Sequence, residues 1–434
     1  MAPPVPYLVD EILEEIFLRL RTPAALVRAS TACLSFRRII TGRPFLRRYR
    51  KRHPPPLLGF VDRHGFHPAQ PPYPSAPLAS SLAAAADFTY SFVPSPNDER
   101  WRSVDARDGR VLLQEHRLGL KYFRMNLAVC DPLSRHSVLL PPIHKDLLVL
   151  EAEFPIEIVR VLAPVGEEGE DETSFRVFVF ACYKTKLVAF VFSSVAPQWC
   201  IAASRSWTSL GTESPHFMAA LGCRGLSCLD YVRGCFYSTW PWMDKLLMIN
   251  TQTMEFSTVN DRTGYHMKLR SLPGQADEVL ARNDMLCRRR PGQPRSLPAI
   301  VVGREGTLEM FSLVGDHSPE GSFHLYHTTQ LKNDQSSMEW QLENIIPLPG
   351  QYDYFTLGAA GGFLFLGATT EDQLYIAIDS PVCLSRTGWD VDYFSLEVQT
   401  SKITKICRRK SQFFHYEDVY WYFGLPPSLS KPSI

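Results

Sequence analysis

Side chains that could carry out chemistry are scattered along this chain of 434 residues. The sequence lacks H-E-x-x-H, G-x-S-x-G, a phosphate-binding loop and G-x-G-x-x-G, the patterns that would position a metal, a nucleophile or a nucleotide. His324 and His327 are three residues apart, and on a strand that spacing puts them on opposite faces, which is poor for sharing a metal ion. The ten cysteines include no C-x-x-C pair, so no zinc site is expected. We therefore expect no catalytic residue, no metal and no cofactor.

Four aspartates in or beside predicted turns leave one enzymatic alternative open. They are Asp108, Asp230, Asp244 and Asp353. A hydrolase that works by acid–base catalysis needs such carboxyl groups to converge in one pocket. Nothing in their spacing brings these four together, so the sequence predicts that the chain is not an enzyme.

Two tryptophans around a proline are the best candidate for a surface that binds a target peptide. Trp240 and Trp242 flank Pro241 between two predicted strands, and tryptophan is enriched among the residues that contribute most to protein interfaces. The alternative is that one or both side chains wedge between neighbouring sheets. An acidic run at 167–172 is interpreted as a solvated loop tip, with a docking site for a basic partner as the alternative.

The composition is that of an ordinary globular protein, with 45% hydrophobic and 21% charged residues. No stretch reaches the roughly 18 apolar residues of a membrane span, and no apolar run near residue 1 indicates a secretion signal. We therefore expect a soluble protein with free cysteines, located in the cytoplasm, the nucleus or both, and no membrane partner.

Charge is distributed unevenly near the start of the chain. Residues 1–15 carry four acidic residues and no basic one, whereas 16–61 carry eleven basic residues and no acidic one. This asymmetry indicates a separate N-terminal unit. The basic run could serve nuclear import or bind nucleic acid, but no nucleic-acid-binding motif accompanies it, so we interpret it as a solvated helix face.

Apolar residues recur at helical spacing over residues 8–20, which predicts an amphipathic helix. Pro23 begins a second short helix through Leu26, and a third ends at Gly42. Pro44 then begins a turn that carries three further apolar residues. A unit of fewer than about 60 residues is marginally stable alone, so part of this apolar surface is expected to face a partner.

These same segments resemble an F-box. The match runs in order through LVDEILEEIFLRL at 8–20, TPAAL at 22–26 and CLSFRRII at 33–40. Valine stands at position 9 where proline is usual, and phenylalanine at 36 where many members have tryptophan; both remain apolar. The resemblance implies that residues 1–53 bind the Skp-type adaptor of a cullin-RING ubiquitin ligase. The implied adaptor-binding residues are Leu8, Val9, Ile12, Leu13, Ile16, Phe17, Leu20, Pro23, Leu26 and Phe36.

The remainder of the chain divides into a bridge and a large domain. Residues 54–86 are rich in proline and alanine and predict an extended bridge that contains a candidate first strand at 57–61. From residue 87 to 434, short strands alternate with turn residues every 8–12 positions, which is typical of consecutive hairpins. So many strands favour an all-β propeller of six to eight blades, with a large β-sandwich as the alternative.

Three weakly similar segments, each a strand, a polar turn and a returning strand, begin near residues 128, 247 and 396. Six short segments stand in chain order at 108–113, 130–132, 139–142, 193–199, 302–306 and 426–430. Together they resemble the F-box-associated domain of plant F-box proteins, which is taken to recruit the substrate. The resemblance implies a substrate-recruiting subunit of an SCF-type ubiquitin ligase whose target is an unknown protein. An F-box-bearing scaffold, a nucleic-acid-associated protein and a propeller enzyme are the alternatives.

Overall fold

The computed structural model divides the chain into two compact units, Met1–Pro56 and Leu57–Ile434. We call them the helical unit and the β unit. The structure describes residues 8–20, 23–95, 100–115, 126–144, 155–163, 174–211, 229–239, 245–260, 299–303, 307–315, 323–332, 338–350, 352–370, 384–413 and 419–424. Among these residues, no helix is both long enough and apolar enough to cross a membrane.

The described part of the helical unit contains four helices, one more than the sequence predicts. They are α1 (Asp10–Phe17), α2 (Pro23–Ala32), α3 (Leu34–Ile40) and α4 (Arg43–Arg52). The fourth replaces the expected turn after Pro44. This proline lies in the first turn of α4, where its missing N–H has no intrahelical acceptor and its fixed φ suits the helix.

The helical unit has its own small core. Its buried residues are Phe17, Leu18, Leu26, Ile40, Phe45 and Tyr49. The Phe17 ring meets the Phe36 ring edge to face, with 4.9 Å between the ring centroids, and the Tyr49 hydroxyl donates a 2.9 Å hydrogen bond to the carbonyl of Leu20. Aromatic contacts of this kind fix the packing of α1 against α3 and α4.

The β unit consists of one helix and short antiparallel strands. The helix is α5 (Ala76–Ala85). The strands are β1 (Leu57–Asp62), β2 (Gly65–Pro68), β3 (Trp101–Arg107), β4 (Arg110–Glu115), β5 (Leu127–Asp131), β6 (His136–Leu140), β7 (Glu157–Ala163), β8 (Arg176–Cys182), β9 (Lys186–Ser193), β10 (Gln198–Ser206), β11 (Leu229–Val232), β12 (Cys235–Thr239), β13 (Lys245–Asn250), β14 (Glu255–Asn260), β15 (Ala299–Val302), β16 (Leu308–Gly315), β17 (Phe323–Lys332), β18 (Met338–Pro347), β19 (Tyr352–Ala360), β20 (Phe363–Thr370), β21 (Leu384–Glu397), β22 (Lys402–Phe413) and β23 (Tyr420–Phe423).

These strands form a six-bladed β-propeller. Five sheets each contain four consecutive strands, and we number them first (β3–β6) to fifth (β19–β22). The sixth, the closing sheet, has the order β2-β1-β23. The innermost strands lie side by side: β23 beside β3, β3 beside β7, and β15 beside both β11 and β19. Six separate sheets around a common centre exclude the large β-sandwich, in which two sheets would pack face to face.

The hairpins between first and second strands use one turn type repeatedly. In the first, third and fifth sheets both central turn residues have positive φ, which is typical of the two-residue type I′ turn. The pairs are Asp108-Gly109 (51° and 73°), Arg233-Gly234 (49° and 77°) and Gly361-Gly362 (59° and 81°). Glycine supplies this conformation without strain, and it is the residue that made these hairpins predictable.

The weak internal similarity of the sequence falls on equivalent turns between third and fourth strands. Arg135, Met254 and Ser401 have φ of 57°, 57° and 56° at the same place in the first, third and fifth sheets. In two of these turns a side-chain oxygen accepts from the backbone two residues on: Asp131 from Leu133 at 2.9 Å, and Asn250 from Gln252 at 2.8 Å. The similarity therefore reflects a repeated turn within the blades.

The closing sheet joins the beginning of the β unit to its last described strand. β1 pairs with β2 on one side and with β23 on the other. Trp421 stacks on Phe365 of the fifth sheet, with 3.6 Å between ring centroids, and the Tyr422 hydroxyl donates a 2.8 Å bond to the carbonyl of Gly109. The last strand is thus fixed to sheets on both sides.

The expected bridge at 54–86 is largely part of the β unit. Residues 57–68 form β1 and β2, and α5 covers this sheet with Ala79 and Leu82 buried in the same core cluster. The alanine-rich run that suggests an extended segment is a helix instead, because alanine has the highest helix propensity and this helix buries one face.

A buried polar cluster links the closing sheet to the fifth sheet. Arg409 of β22 donates a hydrogen bond to Asp62 of β1 and another, 2.8 Å long, to Nε2 of His67 in β2. Burial lowers the pKa of His67 to about 4. The imidazole is therefore neutral near pH 7, and its Nε2 accepts the hydrogen bond from the guanidinium of Arg409.

Because His67 is neutral in the folded chain, the free energy of unfolding should decrease as the pH falls. The unfolded chain binds the histidine proton near pH 6.5 and the folded chain only near pH 4, so folding loses stability as pH falls between these values. The difference in unfolding free energy between wild type and His67→Gln should shrink by up to about 3 kcal/mol from pH 7 to pH 4. Urea unfolding at several pH values tests this; a constant difference would contradict it.

Candidate functional site

An exposed row of apolar side chains marks one edge of α1. Ile12 and Ile16 are four residues apart in α1 and share a helix face. Leu8 and Val9 lie directly before the helix, and Val9 is its N-cap residue. The exposed fractions are 43% for Leu8, 54% for Val9, 49% for Ile12 and 43% for Ile16. We call these four residues the α1 ridge.

Nine of the ten residues predicted to bind the adaptor divide into three groups by their burial. The ridge residues are exposed. Phe17 and Leu26 are buried in the core of the helical unit, while Leu13, Leu20 and Phe36 are partly buried and pack against that core. Pro23 begins α2, and its side chain lies outside the described part of the structure. Helical spacing alone does not distinguish the exposed residues from the buried ones. Residues 12 and 13 both fit the same apolar stripe of a helix, and so do residues 16 and 17.

The uneven charge of the N-terminal segment is partly neutralised within the helical unit. Arg38 of α3 lies 2.5 Å from Asp10 of α1, and Arg48 of α4 binds Glu14 at 2.8 Å and also Glu15. Two arginines of the basic run thus hold the acidic face of α1.

The tryptophans proposed to bind a target lie outside the described residues. This holds for Trp240 and Trp242, and also for Asp244 and the acidic run at 167–172. His327 packs into the fourth sheet, where its ring stacks on Phe311 with 4.5 Å between centroids and its Nε2 lies 2.9 Å from Glu309.

Buried aspartates at the centre of the propeller connect innermost strands of different sheets. Asp105 of β3 accepts a 2.7 Å bond from the backbone N–H of Leu162 in β7. Asp230 of β11 accepts from Ile300 in β15 at 2.8 Å and from Ala359 in β19 at 3.1 Å. Both carboxylates therefore hold neighbouring blades together.

Arg107 of β3 lies between the two buried carboxylates. Its Nε donates to Asp105 at 3.2 Å, and its guanidinium carbon lies 5.4 Å from the ring centre of Phe236. Burial raises the pKa of Asp230 to about 6, against the two backbone hydrogen bonds and the Arg107 charge, which lower it. Of the three of these aspartates that the structure describes, Asp230 alone belongs to this cluster: Asp108 occupies a hairpin turn and Asp353 is buried on β19.

The sequence did not identify Asp105 and Arg107 as site residues, although charged side chains inside an apolar strand indicate a buried polar contact. A β-bulge between Ser103 and Asp105 shifts the alternation of β3. Because the bulge changes which side chains face the core, a simple period of two misplaces this aspartate.

Asp230 should make the free energy of unfolding depend on pH in the opposite direction from His67. Its folded pKa lies above its ordinary value, so the folded chain keeps the proton that the unfolded chain loses near pH 4, and stability falls as pH rises towards about 6. The difference in unfolding free energy between wild type and Asp230→Asn should fall by up to about 3 kcal/mol between pH 4 and pH 7. Chemical unfolding across this range measures it, with Asp108→Asn as the control; a rising difference would refute the assignment.

Comparison of the sequence with protein-family models and with curated proteins finds no match. Among solved structures, the chain is similar to enzymes and to a TolB protein. The GH93 alpha-L-arabinofuranosidase of Fusarium graminearum with arabinobiose is 9% identical over 71% of this chain and 80% of that chain, with a TM-score of 0.32. A mutant of that organism's arabinofuranosidase with an iminosugar inhibitor is 9% identical over 76% and 86%, with a TM-score of 0.34. TolB from Acinetobacter baumannii is 8% identical over 73% and 68%, with a TM-score of 0.26.

The prediction that the chain is not an enzyme is contradicted by these neighbours, because the arabinofuranosidases among them are propeller glycosidases. We therefore withdraw it. At identities of 8–9% and TM-scores of 0.26–0.34, the likeness assigns no activity to this chain. The six-bladed propeller itself rests on the sheet order.

Proposed function

We propose that this chain is the substrate-recruiting subunit of an SCF-type cullin-RING ubiquitin ligase. In this proposal the helical unit docks the Skp-type adaptor through the α1 ridge, and the β unit holds the target protein. The protein would act in the cytoplasm, the nucleus or both, where such ligases work.

Adaptor docking is supported by the α1 ridge, which stays exposed although the helical unit buries a core of its own. Single exposed apolar residues are common on protein surfaces, but contiguous ones mark interaction sites. The unit buries six large side chains and still leaves Leu8, Val9, Ile12 and Ile16 accessible. A partner that covers these four side chains would remove their apolar area from water, which favours association.

The resemblance to the F-box supplies the identity of that partner. The segments that carry it include α1, α2 and α3, and the ridge residues lie within the first matched segment, on α1 and directly before it. A recruited protein held by the β unit would then be brought close to the ubiquitin-carrying enzyme, and proximity raises the effective concentration of the reacting groups.

Co-expression with the Skp-type adaptor tests the proposal. We expect the full chain and the adaptor to elute as one stoichiometric complex in size-exclusion chromatography, and a reconstituted ligase to ubiquitinate proteins captured by the β unit. A chain that binds the adaptor without promoting ubiquitination of any captured protein would favour an F-box-bearing scaffold. Separate elution of chain and adaptor would refute adaptor docking.

A further inference from the structure

The outermost strand of the first sheet, β6, has an open outer edge. Within its sheet, β6 is hydrogen-bonded to β5 alone. On such an edge strand the backbone N–H and C=O groups of alternate residues point away from the sheet, where another extended chain can pair with them. The ladder between β5 and β6 contains no bulge, so side chains alternate regularly along β6.

Two neighbouring apolar side chains of β6 are exposed, one on each face of the sheet. Val138 lies opposite Val129, which belongs to the core that the first sheet shares with the second. Leu139 lies opposite Ala128, which belongs to the core that the first sheet shares with the closing sheet. A further strand beside β6 would extend both cores if it carried two adjacent apolar residues.

β6 also lacks the features that protect the other outermost strands. Proteins keep edge strands from pairing with other chains by placing charged residues, prolines or bulges in them. β6 contains no acidic residue, no lysine or arginine, no proline and no bulge. The outermost strands of the other sheets each contain a charged residue or a proline: Pro68 in β2, Arg205 in β10, Glu255 in β14, Glu343 and Pro347 in β18, and Lys405 and Arg408 in β22. Among the outermost strands that the structure describes, β6 is therefore the one best suited to accept a further strand.

Both ends of β6 are held in place, so the edge is preformed. Before the strand, the buried carboxylate of Asp131 accepts a 2.9 Å hydrogen bond from the backbone of Leu133. After it, Nε1 of Trp199 in the second sheet donates a 2.7 Å hydrogen bond to the carbonyl of Pro141. A preformed strand loses little conformational entropy on binding, which favours association. Since residues 141 and 142 are prolines and lack an N–H, a ladder with a partner ends with β6.

The size and charge of this edge favour an extended peptide over a second copy of the chain. Specific interfaces between whole proteins bury more than about 1,000 Å², and one short ladder with two exposed apolar side chains on each side is too small for that. A peptide can add a strand to a sheet edge and gain most of its affinity from main-chain hydrogen bonds. Residues 132–144 include Arg135, His136 and His144 and no acidic residue. Because Arg135 is exposed just before β6, an acidic group of the peptide is favoured at that end.

We propose that β6 binds an extended segment of the recruited protein as an additional strand of the first sheet. The segment runs antiparallel to β6, as β5 does. Two adjacent apolar residues of the segment lie beside Val138 and Leu139, and an acidic residue that follows them lies near Arg135. That the segment belongs to a recruited protein rests on the proposed function; its pairing with β6 does not.

Titration of the full chain with labelled peptides, followed by fluorescence anisotropy, tests the side-chain part of the proposal. The reference probe is the peptide Gly-Thr-Val-Ile-Thr-Glu-Glu. One matched peptide has threonine in place of valine and isoleucine, and another has lysine in place of both glutamates. We expect each to bind at least about tenfold more weakly than the reference probe. Equal binding of all three peptides, or no binding of the reference probe up to about 1 mM, would overturn the proposal.

Backbone N-methylation tests the main-chain part. Two further versions of the reference probe are N-methylated at alternate residues, one at odd and one at even positions. Only alternate residues of a paired strand direct their N–H towards β6. One version should therefore lose binding at least about tenfold while the other keeps it. Equal affinity of the two versions would contradict strand pairing.

Variants of the chain locate the site. The double variant Val138→Thr/Leu139→Thr should weaken binding of the reference probe at least about tenfold. Threonine has a high strand propensity and both positions are exposed, so this variant should melt as wild type does. Arg135→Gln should weaken binding of the reference probe but not of the lysine peptide. Val195→Thr, in the exposed turn after β9, is the matched control and should bind as wild type does. Wild-type affinity in the double variant would overturn the proposal.

Sedimentation and adaptor binding, measured on the same samples, separate the other outcomes. We expect the wild-type chain to sediment as a monomer in the absence of peptide. A wild-type dimer that the double variant abolishes would show that a second copy covers β6, and it would overturn the peptide proposal. A chain that binds the adaptor but none of the peptides would overturn this inference and leave adaptor docking intact.

Discussion

Replacing Ile12 and Ile16 together by glutamate is expected to abolish adaptor binding while the helical unit stays folded. Both side chains are exposed on the α1 ridge, at 49% and 43%, so a charge is tolerated in the free chain. In the complex the same charges would be buried without a partner, which is strongly unfavourable. We expect affinity to fall at least about 100-fold, measured by calorimetry with purified adaptor.

The control for this double variant is Val195→Glu. Val195 is an exposed apolar residue of the β unit, at 76%, and its replacement should leave adaptor affinity unchanged. Substitution of Leu13 would be less informative, because this residue packs against the core and its loss would also destabilise the unit. Wild-type affinity in Ile12→Glu/Ile16→Glu, with circular dichroism unchanged, would exclude the ridge as the docking surface.

Replacing Trp421 by alanine should strongly destabilise the propeller. Trp421 is 7% exposed, stacks on Phe365 and meets the Phe60 ring edge to face at 5.5 Å. Its removal opens a cavity between the closing sheet and the fifth sheet. A loss of about 3–5 kcal/mol in unfolding free energy is expected from the cost of such cavities, and urea unfolding followed by fluorescence measures it.

The variant Trp421→Phe tests how much of this stability comes from an aromatic ring stacked on Phe365. No described atom accepts a hydrogen bond from the indole N–H of Trp421. Trp421→Phe keeps an aromatic ring against Phe365 but removes the N–H and part of the ring volume, so it should cost far less than alanine, about 1–2 kcal/mol. Equal losses for the two variants would show that stacking on Phe365 is not what holds β23.

The hairpins of the β unit were predictable because their chemistry is local. Arg233-Gly234 and Gly361-Gly362 lie between apolar runs, and the structure places type I′ turns there. The number of blades was not predictable in the same way, since the closing sheet combines β1 and β2 with β23. Pairing between segments so far apart in the chain cannot be recognised from any short stretch of the sequence.

The helical unit shows a different limit of sequence reasoning. The apolar spacing over 8–20 predicts a helix, and α1 is present, but the spacing does not tell Ile16 from Phe17. The structure distinguishes them: Phe17 contacts Phe36 and Phe45 in the core, and Ile16 is exposed. The packing of α3 and α4 against α1 decides which apolar side chains of α1 stay exposed to a partner. Only the tertiary structure shows this.

The closing sheet also sets an order of events during synthesis. β1 and β2 leave the ribosome early, yet β1 lacks its second partner until residues 420–423 have emerged. Until then one edge of β1 presents unpaired backbone groups, and such edges invite pairing with other chains. A nascent chain that stalls before β23 would therefore carry an incomplete closing sheet, and this is the form most exposed to aggregation and to quality control.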